Sequence, residues 1–177
     1  MEEVKDVRMD QREGAGAVLD ALMSKIPGFG GYLEREHRRE ADQRHREFLA
    51  KRLTSKKSAI QDVGETLMGS GGLSHLTALD SLTNKIDRLV ERTRHASSGF
   101  SSFMDKNVVD AARLDRIYEH DLSILEGVEA LDPVIENLDN AADSNDNVAQ
   151  AIKKVKKALD ELDGRLDTRD KILKGLE

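Results

Sequence analysis

The chain contains no cysteine and no tryptophan, has only two prolines, and draws only 3% of its 177 residues from the aromatics. Each shortage excludes something. Without cysteine there are no disulfides, no thiolate metal ligands and no thiol nucleophile. A cysteine-free chain whose first 13 residues are charged and carry no apolar core of a signal peptide reads as cytoplasmic. No stretch approaches the roughly 18 apolar residues that a membrane-spanning helix needs. The missing runs of β-branched and aromatic residues argue against a sheet, and so few large apolar side chains argue against a thick core.

What is present is charge: Asp, Glu, Lys and Arg make up 35% of the chain, with a net charge of −6. That imbalance is mild and favours solubility without naming a class of partner. Straight-chain charged residues are good helix formers. The composition therefore points to an all-α fold, an elongated bundle of about four main helices plus a short N-terminal helix, packed in a coiled-coil-like way. Residues 1–13 read as a flexible arm and residues 14–177 as a single bundle domain. Its last helix, 148–177, has the character of a semi-independent coiled coil.

Apolar spacing marks out the helices. Val18, Leu19, Leu22, Met23 and Ile26 give a short amphipathic helix, which Pro27-Gly28-Phe29-Gly30-Gly31 terminates. Phe29 and Tyr32 are expected to pack this turn onto the bundle. A long helix is then expected from Tyr32 to Met68. Between Glu34 and Glu47 every residue except Ala41 and Gln43 is charged or a histidine, so this half shows no apolar face. Apolar spacing returns at Phe48, Leu49, Leu53, Ile60, Val63 and Leu67, and Gly69-Ser70-Gly71-Gly72 forms a turn. Ser74 is expected to cap the next helix, with Leu76, Leu79, Leu82, Ile86, Leu89 and Thr93 as its stripe. Ser97 to Met104 reads as a connector with aromatic anchors.

The next stripe is Leu114, Ile117, Asp121, Ile124, Val128, Leu131, Ile135, Leu138 and Ala142, alternating three and four residues with Asp121 as its one polar member. Pro133 falls inside it, in phase on both sides, so a kink is favoured over a fresh start at Asp132-Pro133. After a break at 143–147, Val148, Ile152, Val155, Leu159, Leu162, Leu166, Leu173 and Leu176 form a final heptad stripe, interrupted by Arg169.

Charge is unevenly spread: residues 34–57 carry a net +4, residues 105–147 a net −9 and residues 148–177 a net +2. Such a pattern selects partners and orientation more than it drives folding.

Few constellations suggest chemistry. Glu34-x-x-His37 and Asp42-x-x-His45 have the spacing of the Glu-x-x-His element of di-iron bundles, but such a site needs that element on two helices. Glu91 and His95 form a further i, i+4 pair. Neither glycine run has the Lys-Ser/Thr of a phosphate-binding loop, and no Gly-x-Ser-x-Gly occurs. No cofactor, metal or catalytic residue is expected. Asp121 stands out instead: a carboxylate on a seam must be paired or hydrogen-bonded, with Arg116, His120 or a basic residue of another helix, and serves to fix register.

Arg35, Arg38, Arg39, Arg44 and Arg46 mark a candidate interaction face for a protein partner or a second copy. Intervening carboxylates and the lack of interleaved aromatics disfavour nucleic acid there. The expected function is a non-enzymatic protein–protein interaction or assembly module. A metal- or ligand-binding bundle and a peripheral membrane-surface protein are the alternatives.

Two stretches also carry a family likeness. Ile26-Pro-Gly-Phe-Gly-Gly-Tyr32 with Arg38-Arg-Glu-Ala-Asp42, and Leu114-Asp-Arg-Ile-Tyr-Glu-His-Asp-Leu122 with Leu125-Glu126, resemble an uncharacterised family of small all-helical bacterial proteins. The Gly99-Phe-Ser-Ser-Phe-Met-Asp105 connector fits the same pattern. The resemblance implies a helical fold with no known activity, and an association with a membrane-scaffold complex of the band-7 type.

Overall fold

The structure, a computed structural model, describes residues 16–32, 34, 37–95 and 111–176. The N-terminal arm, the 97–104 connector and Arg35 lie outside the described residues. The fold is all-α, and no strand occurs among the described residues. Its elements are a short helix α1 (16–25), α2 (Arg38–Ser70), a 3-10 turn (Leu73–His75), α3 (Leu76–Arg94), α4 (Ala111–Glu129), α5 (Leu131–Ser144) and α6 (Val148–Lys174). With α4 and α5 read as one span, these are the four main helices and the short N-terminal helix expected from the spacing. No helix among the described residues is long and apolar enough to cross a membrane.

Packing divides the chain into two compact units. Unit 1 comprises Met1–His45, Ser97–Ser123 and Asp167–Glu177; unit 2 comprises Arg46–Ala96 and Ile124–Leu166.

The seams predicted from spacing are the buried faces. All nine positions of the Leu114–Ala142 stripe are buried, including Asp121. On α3, Leu79, Leu82, Ile86, Leu89 and Thr93 are buried, while Leu76 is half-buried. On α6, Val148, Ile152, Val155, Leu159, Leu162, Leu166 and Leu173 are buried, so this seam is covered within the chain. Leu176 is the exception: it lies beyond the helix end and is exposed.

Helix ends follow local chemistry. At the ends of α2, α5 and α6, Gly71, Asn145 and Gly175 adopt positive φ. The next residue's N–H then reaches back to a carbonyl five positions earlier: Gly72 to Leu67, Asp146 to Ala141 and Leu176 to Lys171. This arrangement satisfies carbonyls that the last turn leaves open. The expected cap at Ser74 does not form. Ser74 sits inside the 3-10 turn, and α3 begins at Leu76 with no side-chain cap.

Two boundaries differ from the expectation. α2 starts at Arg38 rather than near Tyr32, because the Tyr32 backbone is engaged elsewhere: its N–H donates to the Tyr118 hydroxyl (2.7 Å) and its carbonyl accepts from Arg38 Nε (2.6 Å). At Pro133, the helix is interrupted for one residue upstream. Ala130 keeps right-handed helical angles (φ −64°, ψ −13°) and its N–H still bonds the Glu126 carbonyl, while Pro133, having no N–H, falls in the first turn of α5. The apolar phase therefore continues from α4 into α5.

Unit 2 is a closed set of helices whose neighbours are marked by ion pairs. Lys57 holds Asp87 (2.8 Å) between α2 and α3. Lys85 reaches Asp160 (2.5 Å), and Arg92 reaches Asp163 (2.8 Å), between α3 and α6. Gly127, at the end of α4, lies so close to Leu162 of α6 that a Cβ there would sit 3.1 Å from its Cδ1. Lys56 pairs with Asp132, between α2 and α5. Such partly exposed pairs contribute about 0–1 kcal/mol each, so the seam supplies the stability and the charges specify which helices adjoin.

Candidate functional site

The most chemically distinctive place in the chain is inside unit 1. Three polar residues occupy seam positions on three helices: Asp42 on α2, Asp121 on α4 and Arg169 on α6. Arg169 Nε donates to Asp121 Oδ1 at 2.5 Å, and its Nη2 donates to Asp42 Oδ1 at 2.9 Å. Tyr32, from the turn after α1, donates its hydroxyl to Asp121 Oδ2 at 2.6 Å. Tyr32, Asp42, His45 and Asp121 are completely buried, and Arg38 and Arg169 are nearly so.

Aromatic packing holds the turn in place. Tyr32 stacks on Tyr118 with ring centroids 5.4 Å apart and planes within 10°, and Phe29 meets Tyr32 edge-on at 5.3 Å. Gly31 makes this approach feasible. Its φ is +80°, and a Cβ there would stand 2.8 Å from the Tyr118 hydroxyl and 3.1 Å from Leu19. Nearby, Arg113 donates to the carbonyls of Ile172 and Leu173 at 2.7–3.0 Å and so caps the end of α6.

The electrostatics follow from burial and charge balance. Burial pushes the Asp121 carboxyl up, but Arg169 and then His45 outweigh it, so the carboxyl titrates below its ordinary range. Burial also opposes the charge on Arg169, yet Asp121 and Asp42 hold the guanidinium firmly protonated. Burial, reinforced by Asp121, raises the Tyr32 phenol well above its ordinary value. Burial alone is the main cause of the upward shift at Tyr118. Two buried aspartates thus share one arginine, Arg169, while buried Arg38 holds the Tyr32 carbonyl beside them.

His45 is the odd member. Its Nδ1 stands 3.8 Å from Asp121 Oδ2 and its ring 6.2 Å from Phe29, but neither nitrogen has a hydrogen-bond partner within the protein. Burial pushes the imidazole below its ordinary value, partly countered by Asp121. An unsatisfied buried polar group of this kind costs about 1–3 kcal/mol.

The expectation for Asp121 gains a partner: the basic residue of another helix is Arg169. The proposed arginine face fares differently at each position. Arg38 is 3% exposed and donates to the Tyr32 carbonyl, so it does not belong to any surface. Arg44 is exposed and bound to Glu40 at 2.6 Å, Arg39 is exposed, and half-buried Arg46 donates to the Arg94 carbonyl at 2.6 Å. Arg35 lies outside the described residues.

Of the two acid-x-x-histidine pairs, Glu34 and His37 meet on the surface at 2.7 Å, whereas Asp42 and His45 are interior. No group of three or more His, Asp or Glu able to hold a metal occurs among the described residues.

Spacing alone missed the buried face of residues 38–45. The signal was there in the phase: Arg38, Asp42, His45, Leu49, Leu53, Lys56, Ile60, Val63 and Leu67 are all buried and follow steps of three and four throughout. Running the apolar half of α2 backwards would have placed the polar residues inside.

Comparison of the chain with protein families, characterised proteins and solved structures finds no match to any of them.

Proposed function

We propose that the chain is a non-enzymatic interaction or assembly module, with the closed cluster of unit 1 serving to hold its shape. The observation that carries this reading is the burial of every chemically capable member: Asp42, His45 and Asp121 have no exposed surface from which to meet a substrate. A general acid or base must come within hydrogen-bond reach of the group it serves. What the chain leaves for others to touch is different in kind. Met68 and Leu73 flank the Gly69–Gly72 turn in unit 2 and are 54% and 61% exposed. Large apolar side chains presented at a hairpin end are the type of group that anchors a protein contact. Elsewhere in unit 2, α5 exposes Glu136, Asp139 and Asp143, and α6 exposes Lys153, Lys154 and Lys157, charges suited to choosing a partner.

Two arguments weigh against the alternatives. Leu22 and Ile26 of the N-terminal amphipathic segment are buried and Val18 and Leu19 half-buried, so most of its apolar face is occupied and Met23 is its exposed member. The acid-x-x-histidine pairs do not converge. A membrane-scaffold assembly, the association implied by the family likeness, is the first partner class to probe.

The test pairs light scattering with affinity capture from the native cell, using the wild-type chain and a Met68→Lys/Leu73→Lys double variant. The variant is expected to fold with stability within about 0.5 kcal/mol of wild type, since both side chains are exposed, and to lose the captured partner or self-association. A strict monomer that captures nothing, or a variant that captures as well as wild type, contradicts the reading.

A further inference from the structure

The buried cluster contains one residue that its structural role does not require. Arg169 pairs with both Asp42 and Asp121, and Tyr32 contributes a neutral hydroxyl to Asp121. His45 adds no hydrogen bond, because both ring nitrogens lack partners within the protein. A phenyl ring at this position would pack beside Phe29 without leaving polar atoms unsatisfied. What the imidazole adds is the capacity to take up a proton near neutral pH.

The surroundings decide what that proton does. His45 faces Asp121 from α4, Arg169 from α6, Asp42 from its own helix and Phe29 from the turn, and Tyr32 bonds the same Asp121 oxygen that stands 3.8 Å from Nδ1. Burial disfavours a charged imidazole at this completely enclosed position, and Arg169 opposes it too, while Asp121 at 3.8 Å and Asp42 offset only part of that. The closed cluster therefore favours neutral His45, and an opened cluster accepts the proton freely.

The part able to open is the turn that Tyr32 fastens. Its hold consists of the Tyr32 hydroxyl on Asp121, the Tyr32 N–H on Tyr118, the Tyr32 carbonyl on Arg38 and the stacked rings. The first of these anchors sits on the Asp121 oxygen that stands 3.8 Å from His45 Nδ1, so the charge on His45 bears on it directly.

We propose that His45 is an acid sensor and that the Tyr32 turn is the strap it releases: mild acidification frees residues 16–32 from the rest of unit 1. The direction follows from linkage. The imidazole is harder to protonate when closed than when open, so the closed state is fully favoured above the ordinary histidine value near 6.5. It loses ground as pH falls below that value, by up to about tenfold in the closed-to-open ratio per pH unit. The loss stops once pH passes the lowered value of the closed state. Asp121 acts in a separate, more acidic window, because its carboxyl titrates below the ordinary aspartate range when closed.

Hydrogen exchange on the full chain tests this, comparing peptides from 16–32 with peptides from 148–166 of unit 2 at pH 7.5 and 5.5, after correction for intrinsic rates. Protection of 16–32 is expected to fall severalfold at pH 5.5 while the unit 2 peptides hold theirs. His45→Phe is expected to remove the fall, and His120→Gln to leave it in place. Equal protection at both pH values, or a fall that survives His45→Phe, overturns the proposal. Should His45→Phe fail to fold, NMR titration of the wild-type imidazoles decides: His45 is expected to titrate below 6.5, and a value at or above 6.5 overturns it.

Discussion

Replacing Arg169 with methionine is expected to destabilise unit 1 by about 3–5 kcal/mol at neutral pH, although the new side chain is apolar and fits a heptad seam. The reason lies in what stays behind. Asp42 and Asp121 are both completely buried, and Arg169 is the cation that each of them contacts, at 2.9 Å and 2.5 Å. Without it, burial pushes the Asp121 carboxyl upward against only His45 and the Tyr32 hydroxyl, so the variant must either bury a carboxylate that has lost its arginine or protonate it. The deficit should therefore shrink as pH falls toward the acid range, opposite to the wild type, whose lowered Asp121 titration gives stability that disappears in acid. Tyrosine fluorescence during urea unfolding isolates this effect. The chain has two tyrosines and no tryptophan, and Tyr32 and Tyr118 both belong to unit 1. Circular dichroism, reporting all helices, gives the whole-chain comparison. A deficit below about 1 kcal/mol, the level of an exposed pair, would mean that the cluster is wet and loosely held.

Tyr32 separates packing from hydrogen bonding in the same place. Tyr32→Ala is expected to cost about 3–5 kcal/mol, as for other buried aromatic truncations, because it removes a completely buried ring between Phe29 and Tyr118. Tyr32→Phe keeps the ring and removes only the hydroxyl that donates to Asp121, and should cost about 1–3 kcal/mol. Exchange protection of residues 16–26 should fall in both variants in that order, since the Tyr32 backbone and ring fasten the turn that follows α1. Equal costs for the two substitutions would place the whole effect on the hydroxyl and remove the stacking from the explanation.

Much of this was readable in the sequence, and the exceptions share one cause. Apolar stripes at steps of three and four identified the faces of α3, α4, α5 and α6 because apolar side chains have one use in water, which is to leave it. Polar seam residues carry no such signal individually. Asp121 and Arg169 each interrupt an otherwise apolar stripe, so each could be noticed, but nothing in the spacing says that two interruptions on separate helices stand at the same level. The stretch 34–47 hid its buried face completely, because Arg38, Asp42 and His45 are types normally found on surfaces. Arg38 and Asp42 are accommodated inside by partners distant in sequence or outside the helix, the Tyr32 carbonyl and Arg169. The Arg38 bond also moved the start of α2, since it takes the Tyr32 carbonyl that would have opened the helix. In sequence terms, polar residues in phase with a seam are better read as candidates for one shared site than as breaks in several helices.

The central claim, that the polar residues of unit 1 form one closed and mutually dependent cluster, is tested most directly by a double-mutant cycle on Asp121→Asn and Arg169→Met, followed by tyrosine fluorescence in urea. The expected result is non-additivity: each single variant loses several kcal/mol, and the double variant loses about 2–3 kcal/mol less than the sum of the two. Losses that simply add would contradict the claim, for they would mean that Asp121 and Arg169 each face water or other partners.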